Sequence, residues 1–337
     1  MDKYEMLRQV SRTFALSIEQ LPGILRDSIT LAYLSLRVSD CLEDCEEIPS
    51  KDKPQLLRLW VNVLEKTESV DQLSENISYL DAEKDAEVYV AQNASYVLNE
   101  INQLPPELQK IIITHVKAIS LGMARWQEHG PYIDDEAEMD DYMHCVAGIV
   151  GYLMTDVIAW YSPVFAKIKE KVMPLSREFG LGLQTVNILR GMRKDYERGW
   201  VYVPRSYYEK VGLTRDSMFL PENLDKSMQV INMLADKAER HLINGMTFLT
   251  SLPPWYHNIR LACMWPLFFA VKTLALSRNN TKVILDEVKM NRSQVKDIVL
   301  WTRLFGWSNN WLNFFFKQLS EPDTKEINPA VSNLLTP

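Results

Sequence analysis

"LRVSDCLEDCEEIP" (36–49) sets five carboxylates, Asp40, Glu43, Asp44, Glu46 and Glu47, beside one base, Arg37. The overlapping run "LAYLSLRV" (31–38) is apolar and helically spaced. In a helix, Asp40 and Asp44 share one face, with Glu43 beside them. Like charges at that spacing repel by roughly 0.2–0.5 kcal/mol when exposed, which a solvated surface tolerates. A helix that also buries apolar neighbours rarely leaves carboxylates unpaired. Magnesium would relieve the repulsion: it binds one or two carboxylates and completes its oxygen shell with water and substrate phosphates. Arg37 could touch the same phosphate oxygens, or could serve only as an i,i+3 partner of Asp40. Spacing alone leaves both readings open, because acid pairs on helices are common.

Helical spacing extends well beyond this stretch. Strand-like alternation is rare, and the 337 residues include only 12 glycines. Helices are expected on both sides of Pro22-Gly23, over 96–104 and 107–127, over 140–161, over 176–199, over 260–280, and through 292–319. The polar segment 66–87 reads as loop and helix ends. No Gly-, Ser- or Pro-rich linker divides the chain and no solenoid repeat is found, so one all-α domain over 1–337 is expected. Helical bundles of this kind can gather side chains from facing helices into a central cavity.

Bulk properties narrow the function. A formal net charge of −7 disfavours nonspecific nucleic-acid binding, which needs a basic footprint. Four cysteines (Cys41, Cys45, Cys145, Cys263) form no CxxC pair and suit free thiols in a reducing compartment. Cys41 and Cys45 flank acids without nearby histidines, which argues against zinc. The N-terminus shows no signal-peptide core. The longest apolar run, "LACMWPLFFAV" (261–271), is shorter than the about 20 residues of a membrane span. A cytoplasmic location is the default expectation. The aromatic cluster "WLNFFFK" (311–317) suits core packing or peripheral contact with a membrane.

A second stretch, "NILRGMRKDYERGWVYVP" (187–204), carries a polar stripe of Gln184, Asn187, Gly191 and Asp195 along one helix face. The amides of Gln184 and Asn187 can contact a diphosphate or metal-bound water. Arg190, Arg193, Lys194 and Arg198 make the helix end basic, which also suits its dipole. Tyr196, Trp200, Tyr202, Tyr207 and Tyr208 follow, in a loop that could close over a site or merely pack.

Taken in order, these motifs resemble the squalene/phytoene synthase family. "SRTFALSIEQLPGILRDSITLAYLSLRVSDCLED" (11–44) resembles its opening helices and first aspartate-rich motif, DxxED. "DYMHCVAGIVG" (141–151) resembles its YxxxVAGxVG helix, and "LQTVNILRGMRKDYERGWVYVP" (183–204) its second aspartate-rich helix and flap. "IRLACMWPLFFAVKTLALSRNN" (259–280) and "VKMNRSQV" (288–295) resemble its later pocket helix and basic segment, so the likeness runs through about 9–320.

The resemblance implies an all-α, single-domain isoprenoid synthase bundle with a central active-site cavity between the two acidic helices. It implies magnesium-dependent ionisation of an isoprenyl diphosphate, farnesyl diphosphate being the family expectation. Head-to-head condensation would then give presqualene diphosphate, and NADPH would enter only if the full reaction to squalene is retained. By position, Asp40, Glu43, Asp44 and Asp195 correspond to metal ligands. Ser11, Arg12, Thr13, Arg37 and Arg190 correspond to diphosphate contacts, and Lys289 and Arg292 to the later basic segment; Gln184 and Asn187 are candidate substrate contacts by their amides, and Lys194 by its charge. Tyr142 corresponds to the catalytic tyrosine, Tyr202 to the flap, and Phe14, Cys263 and Pro266 to pocket wall.

The chain departs from the family in the second motif. Where DxxED is expected it reads Gly191-Met192-Arg193-Lys194-Asp195, a local change of about three charges. Lys194 could stand in for the metal, or could pair with Asp195 and close that half-site. The basic segment has Asn291 where another base is frequent. Cyclisation of one diphosphate, or prenyl transfer to a non-isoprenoid acceptor, needs only one intact metal motif. A non-catalytic lipid-binding or assembly protein is the alternative of another class.

Overall fold

The computed structural model describes residues 1–321, and among these the regular secondary structure is helical. Eighteen α-helices follow one another. They are α1 (Lys3–Val10), α2 (Arg12–Ile18), α3 (Gly23–Asp44), α4 (Lys53–Leu64), α5 (Val70–Asn76), α6 (Ala86–Gln92), α7 (Ala94–Ile101), α8 (Pro106–His129) and α9 (Glu136–Met143). Then come α10 (Ile149–Tyr161), α11 (Pro163–Ala166), α12 (Lys169–Glu197), α13 (Arg205–Lys210), α14 (Leu224–Ser251), α15 (His257–Ser277), α16 (Lys282–Leu285), α17 (Arg292–Phe305) and α18 (Asn309–Ser320). Among the described residues, extended pairing is limited to an isolated bridge between Tyr132 and Val201, as the all-α expectation requires. The helices group into two compact units: residues 1–130 with 148–177, and residues 131–147 with 178 onward.

In the first unit, α3 is the central helix, packed against α4, α6, α7, α8 and α10. It starts after Pro22 at Gly23, whose φ of +36° disfavours any residue with a Cβ. Leu25, Ile29, Leu31, Leu34, Val38 and Leu42 are buried along it. Each is worth about 1.5–3 kcal/mol on burial, so the apolar face fixes the helix and thereby the position of its acidic end. Buried Ser39 and Ser120 share a hydrogen bond of 2.8 Å between α3 and α8.

The last glycine of the "VAGIVG" run has a packing role. A Cβ on Gly151 would lie 2.0 Å from the backbone oxygen of Ser176, so α10 and α12 meet backbone to backbone there. Gly151→Ala must push the helices apart and is expected to cost about 2 kcal/mol. Chemical denaturation checks this. An unchanged midpoint would mean that the close approach is not required.

In the second unit, α15 is buried along nearly its whole length and packs against α14, α17 and α18. It is long and apolar enough to cross a membrane by composition, but 94% of its apolar window is buried inside the protein, as for a core helix. The segment Glu136–Tyr161 passes the same test with 44% buried.

Two sequence expectations change. The run 292–319 is not one helix but two, because the chain breaks after Phe305. A Cβ on Gly306 would lie 2.6 Å from the Met264 sulfur, so the turn is pressed onto α15, and Ser308 then caps α18 at the Trp311 amide (3.3 Å). Within the polar segment 66–87, Val70–Asn76 is helical, capped by Ser69 at the Asp71 amide (3.2 Å).

Candidate active site

In the first unit, the acid-rich end of α3 meets α6. Arg37 pairs with Asp40 at 3.1 Å, one turn away, and with Glu87 of α6 at 2.8 Å. Glu87 is 50 positions from Arg37, and no spacing signal in the sequence connects them. Glu43 is only 7% exposed. Its carboxylate accepts a long hydrogen bond from Gln127 (3.5 Å), whereas Lys53 donates to its backbone oxygen (2.6 Å). Asp44 is exposed.

The electrostatics follow from this crowding. Burial, reinforced by Asp44 and Asp40, pushes the Glu43 carboxyl up to about 8. Burial likewise pushes Asp40 up to about 7, with Arg37 opposing and Glu87 and Asp44 adding to the rise. Glu87 is also raised, again chiefly by burial. Burial works against the Arg37 charge, but Asp40, Tyr33 and Glu87 more than hold it protonated. Four carboxylates thus gather here, two of them sharing one guanidinium. Such a set fits a hard dication, which would stabilise the ionised forms that burial disfavours. Among the described residues no group of three or more His, Cys, Asp or Glu could hold a metal by itself. Magnesium does not require one, since substrate phosphates and water complete its shell.

The opening helices lead to the same corner. Ser11 caps α2 by accepting from the Phe14 amide (3.2 Å). Phe14 packs on Tyr33 with centroids 5.6 Å apart, and the Arg37 guanidinium lies 4.8 Å from the Tyr33 ring. Thr13 is exposed in the first turn of α2. The Arg12 side chain lies outside the described residues.

In the second unit, Tyr142 is buried on α9 and stacks on Tyr202, with centroids 4.6 Å apart and planes 16° apart. Trp200 extends the stack from Tyr202 at 5.6 Å. Two residues after Tyr142 the helix widens into a π-turn, His144–Gly148, a feature frequent at functional sites. The segment carrying Trp200 and Tyr202 is pinned along 131–134, since Arg205 and Ser206 donate to the carbonyls of Ile133 (2.8 Å) and Asp134 (3.0 Å). Residues 60 positions apart in the sequence thus come together.

The polar stripe of α12 is partly as expected. Asn187 donates to Gln184 at 3.5 Å. Asp195 pairs with Arg198 at 2.7 Å rather than with Lys194, and with Gly191 and Lys194 in place of the other two acids of the motif this set does not fit a divalent ion. Lys194 instead meets Glu287 (3.1 Å), as do Arg190 (3.4 Å) and Lys289 (2.7 Å). Glu287 directly precedes the basic segment, and sequence reasoning missed it. Burial works against its charge, and Lys289 and Lys194 outweigh burial, holding its pKa below the usual carboxylate value. Arg292 opens α17, exposed. Asn291, a missing base by sequence, is that helix's N-cap and forms a capping box with Gln294. Cys263 is buried in α15 with its thiol pushed up to about 12 by burial, which suits an inert wall residue.

Comparisons with known proteins follow the same outline. A sequence profile of the squalene/phytoene synthase family matches residues 7–294. The chain is 31% identical over 313 residues to a squalene synthase of Eremothecium gossypii, covering 90% of this chain and 67% of that protein. It is 27% identical over 300 residues to human squalene synthase, covering 88% and 68%. Among solved structures, TcSQS with the ligand E5700 superposes with a TM-score of 0.80 at 23% identity, over 98% of this chain and 94% of that one. Squalene synthase HpnC from Alicyclobacillus acidocaldarius superposes at 0.53 with 19% identity, over 95% of each. With the ordered motifs, the acidic end of α3 and the helical fold, the profile match establishes that the chain belongs to the squalene/phytoene synthase family of prenyl-transferring enzymes.

Proposed function

We propose that this protein ionises an isoprenyl diphosphate of the farnesyl class at the Asp40/Glu43/Asp44 cluster and condenses it head to head with a second one. The observation that carries the reading is the crowding of Asp40, Glu43, Asp44 and Glu87 at one corner, with Arg37 shared between Asp40 and Glu87. A magnesium ion held by Asp40 and Asp44 would supply charge neutralisation for the departing diphosphate. Arg37 is already oriented by Asp40 and Glu87 and needs no reorganisation to face developing negative charge. Glu87 acts as a positioning residue for Arg37. The Tyr142–Tyr202–Trp200 stack offers aromatic faces to a carbocation, an attraction worth roughly 0.5–2 kcal/mol.

Incubation with magnesium and labelled farnesyl or geranylgeranyl diphosphate tests this. Release of diphosphate with presqualene diphosphate as product is expected. A cyclised hydrocarbon or a prenylated non-isoprenoid acceptor would replace the condensation step, and no release at all would overturn the enzymatic reading. Adding NADPH separates an enzyme that stops at presqualene diphosphate from one that continues to squalene.

We also infer peripheral contact with anionic lipid through α17 and α18. Trp255, Leu300, Trp301, Leu304, Phe305, Trp307 and Phe314 are exposed. They are linked: Trp301 stacks on Phe305 (5.9 Å), Phe305 reaches Trp311 (5.6 Å), and His257, beside Trp255, donates to the Arg303 carbonyl (3.1 Å). Residues 292–317 hold four bases and one acid in a chain of net −7, a local charge that suits an anionic surface. Trp301→Glu with Leu304→Glu is expected to weaken sedimentation with phosphatidylglycerol vesicles about tenfold or more. Equal binding by the double variant would remove this surface from consideration.

A further inference from the structure

Three cations from two separate parts of the chain meet one carboxylate. Arg190 and Lys194 are a turn apart on one face of α12, and Lys289 lies in the segment between α16 and α17. Their side chains are 47%, 69% and 64% exposed, while that of Glu287 is 13% exposed. The acid therefore sits inside, with the cationic heads around it at the surface. An exposed one-to-one ion pair is worth about 0–1 kcal/mol and needs no such convergence. Three cations around one acid leave two positive charges uncompensated within the cluster, and they present several N–H donors to one point. Lysine offers a point charge and arginine a planar fork, the two side-chain types that bind phosphate oxygens.

The sequence around the cluster adds to this. Gly191 and Lys194 occupy positions where the family motif reads acid. A Cβ on Gly191 would meet only Asp195, at 3.4 Å, so packing does not demand glycine there. With glycine there, the first carboxylate of the motif is missing from the turn between Arg190 and Lys194.

We propose that Arg190, Lys194 and Lys289 form a metal-independent binding site for a diphosphate group, with Glu287 as an internal anion that holds the site closed until the diphosphate displaces it. The proposal rests on the reading of the chain as an enzyme of isoprenyl diphosphates. It replaces the second metal of that chemistry with side-chain charge, so a second diphosphate can be bound where a dication does not fit. No bond is made or broken in the exchange: one carboxylate leaves the three cations and one diphosphate takes its place.

The test is calorimetric titration of the full chain with inorganic pyrophosphate in EDTA. The wild type is expected to bind without metal. Glu287→Gln is expected to tighten binding about tenfold, because a site closed roughly nine-tenths of the time binds tenfold more weakly than an open one. Lys194→Ala is expected to weaken it about tenfold or more, as loss of a charge-assisted contact. Farnesyl diphosphate should compete with pyrophosphate. Competition by NADPH alone would assign the cluster to the nicotinamide nucleotide and overturn the proposal. So would binding that requires magnesium, or a Glu287→Gln protein that melts lower without gaining affinity. Turnover does not enter this measurement. Intact turnover without metal-free binding overturns the latch alone, and metal-free binding without turnover overturns the reaction alone.

Discussion

Asp40→Asn is expected to lower the rate of diphosphate release from farnesyl diphosphate about a thousandfold at saturating magnesium, a loss of about 4 kcal/mol of transition-state stabilisation. The argument is electrostatic. Asparagine keeps the volume and can still face Arg37, so the fold has no reason to change, but the carboxylate needed to hold a dication and orient Arg37 is gone. Arg37 loses one of its two carboxylate partners but keeps Glu87, and burial opposes the charge that is removed, so the melting temperature should fall only slightly. Single-turnover release of labelled diphosphate, read beside a thermal melt, checks both. A variant that keeps its melting temperature and turns over within threefold of the parent would refute the assignment of this corner as the ionising site.

Tyr142→Phe is expected to lower condensation by two to three orders of magnitude, about the contribution of a positioned proton-handling group. Phenylalanine preserves the 4.6 Å stack on Tyr202 and removes only the hydroxyl. Ionisation of the first diphosphate should therefore suffer less than product formation, and the two rates should separate in rapid-quench experiments. Tyr142→Ala, which removes the stack as well, should also destabilise the protein, since a buried ring is lost. If the phenylalanine variant condenses normally while the alanine variant does not, Tyr142 is a packing residue and its hydroxyl has no chemical part.

What could be read in the sequence was local. The placement of Asp40, Glu43, Asp44 and Arg37 on one helix end follows from three- and four-residue steps, and the structure shows the Arg37–Asp40 pair that those steps allow. The helical character of the chain follows from periodicity, which needs no knowledge of the partner surface. Glu87 was invisible because its link to Arg37 spans 50 positions and depends on how α6 lies on α3. Glu287 was invisible for a different reason. It sits next to the basic segment, but an acid beside bases reads as ordinary mixed charge until Arg190 and Lys194, more than 90 positions earlier, are seen to reach it. The part Asn291 plays as a helix cap was likewise hidden, because the sequence was read there for charge and the cap depends on where α17 begins. The break at Gly306 was missed because the apolar pattern continues through it, and only the nearness of Met264 explains why the chain must turn there.

Arg260 bears on how the aromatic corner behaves. Its guanidinium is fully buried in α15 and donates to the Trp307 carbonyl (3.3 Å) and to the Asn309 side chain. Asn309 in turn donates to the Thr250 carbonyl at the end of α14 (3.1 Å). The bend between α17 and α18 is thereby riveted to the protein's interior. Segments that settle on lipid often stiffen only on arrival and lose entropy in doing so. On the lipid surface proposed above this corner would arrive already stiff, so its tryptophans would work as fixed keel rather than as flexible tether, and any tilt imposed on them would be felt directly by the core helix beneath.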